Sequence, residues 1–220
     1  MLFKNKNRAD VAYSIRTKLD AQLIFNEPKK IKTNFETKCP AHIQVGYDTY
    51  ALLQPYNVTF EVGHNHFVFK EGEVEADRFF TISSLRYVDN VLSLQLNYPF
   101  YFITDDKDLF MESLPPDYKT KHVLPKTDFI RGGFKPYAWV RPIHPAFHFN
   151  IKDDSIVTCK LKKNQPICYV KFNKNVNMKY KAWDDKLERE ALKVHNITDL
   201  VSGTQYLYDL AIKRRPKKLL

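Results

Sequence analysis

Two histidines one residue apart, His64 and His66 in Gly63-His-Asn-His66, precede Glu71, and a second pair, His144 and His148, lies in Ile143-His-Pro-Ala-Phe-His-Phe149. In an extended strand, residues i and i+2 share a face. His64 and His66 can therefore present two imidazoles together, Glu71 can return a carboxylate from the following turn, and His144 can add a third imidazole from a distant strand. Such a set suits iron, manganese or zinc; without it, no cofactor is expected. The plainer reading places His64 and His66 on an exposed hairpin and His144 on the rim of a sheet. A second candidate is Tyr137-Ala-Trp-Val-Arg-Pro142, where Tyr137, Trp139 and Arg141 combine rings with a guanidinium. Arginine stacks on aromatic faces and pairs bidentately with carboxylates, so this segment fits a small anionic or sugar ligand as well as a structural ion pair.

Other chemistries are excluded by composition. The six glycines allow neither GxGxxG nor GxxxxGK, which removes the common dinucleotide and nucleotide phosphate loops. Ser83 and Ser84 lack a Gly-x-Ser-x-Gly context, and the three cysteines, Cys39, Cys159 and Cys168, form no CxxC pair. No nucleophilic triad can be written. An odd number of cysteines without a framework fits a reducing compartment. The spacing His64-x-His66-x4-Glu71 is similar to the first metal motif of cupins. That resemblance implies a metal-dependent oxygenase, dioxygenase or isomerase with His64, His66, Glu71 and His144 as ligands. The sequence departs from the cupin pattern at Val58, where cupins usually carry glycine, and in the absence of Pro-x-Gly before the later histidine.

The net charge of +10 is concentrated at the ends. Residues 1–38 carry nine Lys or Arg against four acids, and Lys213, Arg214, Arg215, Lys217 and Lys218 close the chain, which leaves residues 39–212 net neutral. Clustered cations gain most from a polyanion or an acidic protein face. The expected partner is therefore an acidic protein surface or nucleic acid, and the arrangement also allows homo-oligomers. Glu71, Glu73, Glu75 and Asp77 share one parity and read as a charged edge strand. A mean hydropathy of −0.46 and the lack of a long apolar run argue against a membrane protein. The polar start, Met-Leu-Phe-Lys-Asn-Lys-Asn-Arg, does not read as a secretory signal.

These residues must be positioned by β structure. Tyr56, Val58, Phe60 and Val62 alternate with Asn57, Thr59 and Glu61; Leu92, Leu94 and Leu96 alternate with polar residues; and Ser155–Lys162 and Ile167–Phe172 repeat the pattern around a hairpin-like turn, Lys163-Asn-Gln-Pro166. The aromatic run Tyr98-Pro-Phe-Tyr-Phe-Ile103 reads as a separate strand. Turn signals at Gly46, Gly72, Pro115-Pro116 and Gly132-Gly133 space eight or more strands, which predicts a mainly β, antiparallel two-sheet sandwich of jelly-roll or double-stranded β-helix type. The expected organisation is a basic N-terminal arm over 1–38, the sandwich over 39–180, a C-terminal helical hairpin over 181–212 and a basic tail over 213–220. Trp183, Leu187, Ala191 and Val194 form the buried stripe of the first helix, and a second helix follows Thr198.

Lys38-Cys-Pro-Ala41, Gly46-Tyr47, Tyr98-Pro-Phe-Tyr-Phe102, Trp139-Val-Arg-Pro142 and Gln165-Pro-Ile-Cys-Tyr-Val-Lys-Phe172 together resemble an uncharacterised protein family of tailed bacteriophages, especially marine ones, with distant bacterial relatives. The resemblance covers roughly residues 35–185. It implies a phage origin and an all-β domain, and no activity. The expectation from sequence is a non-enzymatic, accessory or virion-associated binding module in the host cytoplasm or the virion, reaching an acidic partner through its basic ends. The cupin-like metal enzyme and a lectin-like sugar or small-molecule binder are the alternatives.

Overall fold

The computed structural model describes residues 8–16, 28–30, 48–63, 66–72, 81–88, 91–116, 127–129, 131–151 and 155–198. The chain is mainly β, predominantly antiparallel and sandwich-like, as the alternation predicts, and hydrogen bonding groups its strands into three sheets. Strands are numbered along the chain. The largest sheet contains β1 (Ala9–Ile15), β6 (Thr81–Val88), β7 (Val91–Ile103), β9 (Thr127–Phe129), β11 (Pro142–Ile143), β12 (Ala146–Asn150) and β15 (Val176–Tyr180). Its order is β15-β1-β7-β12-β9, with β6 and β11 also paired to β7. A five-stranded sheet runs β10 (Gly132–Phe134), β8 (Met111–Leu114), β14 (Pro166–Phe172), β3 (Thr49–Leu53) and β2 (Lys29–Lys30). A three-stranded sheet joins β13 (Val157–Leu161), β4 (Val58–Gly63) and β5 (His66–Gly72).

The predicted inward faces are the buried ones. Val58, Phe60 and Val62 of β4, Leu92, Leu94 and Leu96 of β7, and Val157, Cys159 and Leu161 of β13 enter one core fed by all three sheets. Phe102 of the large sheet meets Phe172 of the five-stranded sheet edge to face at 5.7 Å, an offset geometry that aromatic pairs prefer. The runs 91–97 and 98–103 form a single strand, β7, rather than two. Pro99, which lacks an N–H, falls where the partners of β7 change. Asn97 is the last residue opposite β6 and Phe100 the first opposite β1, so the missing donor breaks no ladder.

Two expectations are corrected. Residues 9–15 do not lie in an arm: β1 sits between β7 and β15, with Ala9, Val11 and Ile15 in the main core, because its apolar alternation supplies an interior strand. Nor does Lys163-Asn-Gln-Pro166 close a hairpin. β13 pairs with β4, while β14 pairs with β3 and β8, so this turn carries the chain from one sheet to another, with Asn164 at φ 65°.

Helix α1 (Asp185–Thr198) follows β15. Asp184 caps it, its Oδ1 accepting from the Leu187 N–H at 2.8 Å. Leu187 and Ala191 pack with Ala12, Tyr101, Ile103 and Val140 on the outer face of the large sheet, and Trp183 rests against them. The second helix expected after Thr198 and the tail over 213–220 lie outside the described residues.

The buried Asp48 links the sheets. Its carboxylate accepts from the Val176 N–H at the start of β15 and pairs with Lys30 of β2. Replacing Asp48 with alanine leaves the Val176 N–H without its charged acceptor and should cost about 2 kcal/mol in urea unfolding, with Asp48→Asn losing less.

Candidate functional site

The metal candidates fall on different elements. His66 begins β5 opposite Gly63, and its Nε2 lies 3.6 Å from Oε2 of Glu61 on β4. The same carboxylate meets the Lys70 ammonium at 3.0 Å. Glu61 is thus diagonal to both His66 and Lys70 across one antiparallel pair, and its carboxylate and the Lys70 ammonium have the cross-strand geometry that opposite charges favour. His144 follows β11 of the large sheet, with Nδ1 3.3 Å from the Leu96 carbonyl oxygen. Burial and the neighbouring Arg141 charge push its pKa down to about 4, against the opposing pull of that backbone contact, so the imidazole is neutral at neutral pH. His64 and the side chain of Glu71 lie outside the described residues. His66 and His144 belong to different sheets with different partners, and among the described residues no three His, Cys, Asp or Glu side chains are grouped as a metal requires.

Two of the aromatic-segment candidates, Trp139 and Arg141, meet, while Tyr137 contacts Lys107 instead. The Arg141 guanidinium stands 4.8 Å from the ring centre of the buried Trp139 and 5.4 Å from that of Phe134. Those rings meet edge to face at 6.5 Å. Both Ala138 and Trp139 donate their N–H groups to the Lys135 carbonyl, at 3.0 and 3.1 Å, which fixes the turn carrying Tyr137. The Lys107 ammonium lies 5.8 Å from the Tyr137 ring. Each cation–π contact adds modest attraction that grows as water is excluded. Phe134 and Lys107 were not legible as members of this group. The only local signal was Gly132-Gly133 before Phe134: β10 lies so close to Phe110 that a Cβ on Gly133 would sit 2.3 Å from the Phe110 Cζ.

A third group, unforeseen from sequence, fastens α1. Arg16, just past β1, donates from Nε to Glu188 Oε2 at 2.9 Å and pairs through its second nitrogen with Oε1. Trp183 Nε1 donates to the same Oε2 at 2.8 Å, and the Trp183 ring lies 4.5 Å from that of Tyr101. Burial works against the Arg16 charge, but hydrogen bonds with Glu188 and Tyr101 outweigh it and raise the pKa. Arg16 and Lys30, both counted in the basic N-terminal segment, are therefore engaged within the protein.

The described cysteines are not poised for nucleophilic work. Burial pushes the Cys159 thiol up to about 12 and raises the Cys168 thiol as well, so both are protonated at neutral pH.

No family model, curated protein or solved structure matches the chain.

His144 sets a pH dependence. Folding lowers its pKa from the ordinary 6.5 to about 4, so between those values the unfolded chain binds the additional proton and stability falls as the pH falls. The contribution is fully present above pH 6.5 and is worth at most about 3 kcal/mol. Chemical denaturation at pH 7 and pH 4.5 should show a smaller acid loss for His144→Asn than for the parent.

Proposed function

We propose that the protein is a non-enzymatic binding module of a tailed bacteriophage, accessory or virion-associated, that contacts an acidic partner through its basic ends. The observation that carries this reading is charge segregation: a neutral body over 39–212 lies between terminal segments that hold the whole +10 surplus. Cations gathered in short segments neutralise a polyanion, or an acidic protein face, without disturbing the fold behind them. Arg16 and Lys30 of the N-terminal segment are held in internal ion pairs, whereas the five cations of 213–220 form the densest cluster of positive charge in the sequence and are the part of the contact that truncation removes. The phage assignment rests on the resemblance of residues 35–185. The partner is an acidic phage or host protein, or DNA, met in the host cytoplasm or the virion.

Binding to duplex DNA and to an acidic peptide, measured across a salt series for the full chain and for residues 1–212, tests this. Each phosphate neutralised contributes about 0.9 to the logarithmic salt slope, so deletion of the tail's five cations should lower the DNA slope by up to about 4.5. The melting temperature should stay nearly constant. An unchanged slope and affinity for both probes would refute the role of the tail.

A second reading, a lectin-like binder of a sugar or small anion, is favoured by the Arg141 guanidinium fixed against Trp139 and Phe134. In a thermal-shift screen of neutral and acidic sugars, this reading expects a ligand-dependent rise in Tm for the parent that Arg141→Ala loses.

A further inference from the structure

Two chain crossings lie side by side where the five-stranded and three-stranded sheets meet. Residues 54–57 carry the chain from β3 to β4, and residues 162–165 carry it from β13 to β14. They are bonded to each other: the Gln54 N–H donates to the Gln165 carbonyl at 2.7 Å, the Asn164 N–H donates to the Gln54 carbonyl at 2.8 Å, and the Lys163 N–H donates to Asn57 Oδ1 at 3.0 Å. The backbone of Gln54 is thus held through both its donor and its acceptor. Its side chain starts from a fixed point, directed by the fold rather than by solvent.

That side chain is 1% exposed. Its Oε1 and Nε2 are buried, and neither has a hydrogen-bond partner among the described residues. A carboxamide offers two donors and an acceptor with two lone pairs. Burying it unbonded is unfavourable relative to an apolar residue of similar size, and buried polar groups in folded proteins are almost always satisfied. The third sheet also sends a polar group here, since Tyr98 of β7 donates its hydroxyl to the carbonyl of Leu53, the residue before Gln54.

We propose that the Gln54 carboxamide holds a small, neutral, hydrogen-bonding guest at this three-sheet junction: an ordered water, or a small molecule presenting an amide or hydroxyl. Neutrality follows from the neighbours. The buried side chains beside it, Leu52, Tyr56, Ile167 and Cys168, carry no charge at neutral pH, and Lys162 and Lys163 of the adjoining crossing are exposed to water, whereas a buried ion requires a buried counter-charge. Small size follows from the packing, because Leu52, Ile167 and Cys168 at the same junction are each at most 1% exposed.

The full-length protein tests this in two ways. In NMR spectra, the assigned Gln54 side-chain amide protons should give a cross-peak to a long-lived water or to a non-protein resonance. A water cross-peak assigns an ordered water; a non-protein resonance accompanied by added mass in native mass spectrometry assigns a small molecule. In parallel, Gln54→Leu removes the polar atoms at similar size and should lower Tm by about 3 °C or more if it loses a bound guest, whereas relief of an unbonded amide would raise Tm. Absence of both cross-peaks in the parent overturns the proposal, and so does an unchanged or higher Tm in the variant. If the variant does not fold, the spectra of the parent decide.

Discussion

Strand β7 is paired along most of both edges, and most of the large sheet is arranged around that requirement. At 13 residues it is about twice the usual strand length, and no single neighbour spans it. Its first half lies between β6 and β12, and its second half between β1 and β11. The change of partners falls around Pro99, which has no N–H to offer. The same strand divides its side chains between two environments. Leu92, Leu94, Leu96, Tyr98, Phe100 and Phe102 enter the main core, while Tyr101 and Ile103 point the other way, beneath α1. The position of the helix and the packing of the core are therefore both set by one backbone.

Apolar packing closes the interior, and hydrogen bonds close the seams. Where a strand ends and the chain crosses to another sheet, its N–H and C=O groups lose their ladder partners and must find others. Asp48 accepts from Val176 at one such place, Tyr98 donates to Leu53 at another, and the crossings at 54–57 and 162–165 satisfy each other. Polar residues at these boundaries hold the sheets at fixed relative positions in a way that non-directional hydrophobic contact cannot. Gln54 belongs to this set by its backbone and stands apart from it by its side chain.

The inward faces of β4, β7 and β13 were legible because period-two alternation directly reflects burial on one side of a sheet. Which strands pair was much less legible. The runs 91–97 and 98–103 read as two strands because the continuity of β7 depends on partners from distant segments. Lys163-Asn-Gln-Pro166 has the composition of a hairpin turn, and composition does not say whether the strands it joins share a sheet. β1 was masked by the lysines and arginines around it, although Ala9, Val11 and Ile15 alternate as an interior strand should. Among the candidate sites, Trp139 and Arg141 were legible because they are close in sequence. The Arg16–Glu188 pair spans 172 positions, and no local pattern announces a contact of that range.

Four ionisable groups among the described residues are held in one state by the fold. Cys159 and Cys168 are buried as thiols and His144 is buried as a neutral imidazole. Burial works against the Asp106 carboxylate, but hydrogen bonds from Lys174 and the Asp108 and Leu109 N–H groups outweigh it and keep its pKa low. Each of these groups keeps one charge state through the neutral range. A catalytic acid, base or nucleophile needs a pKa near the working pH so that it can change state, and these four are tuned away from it.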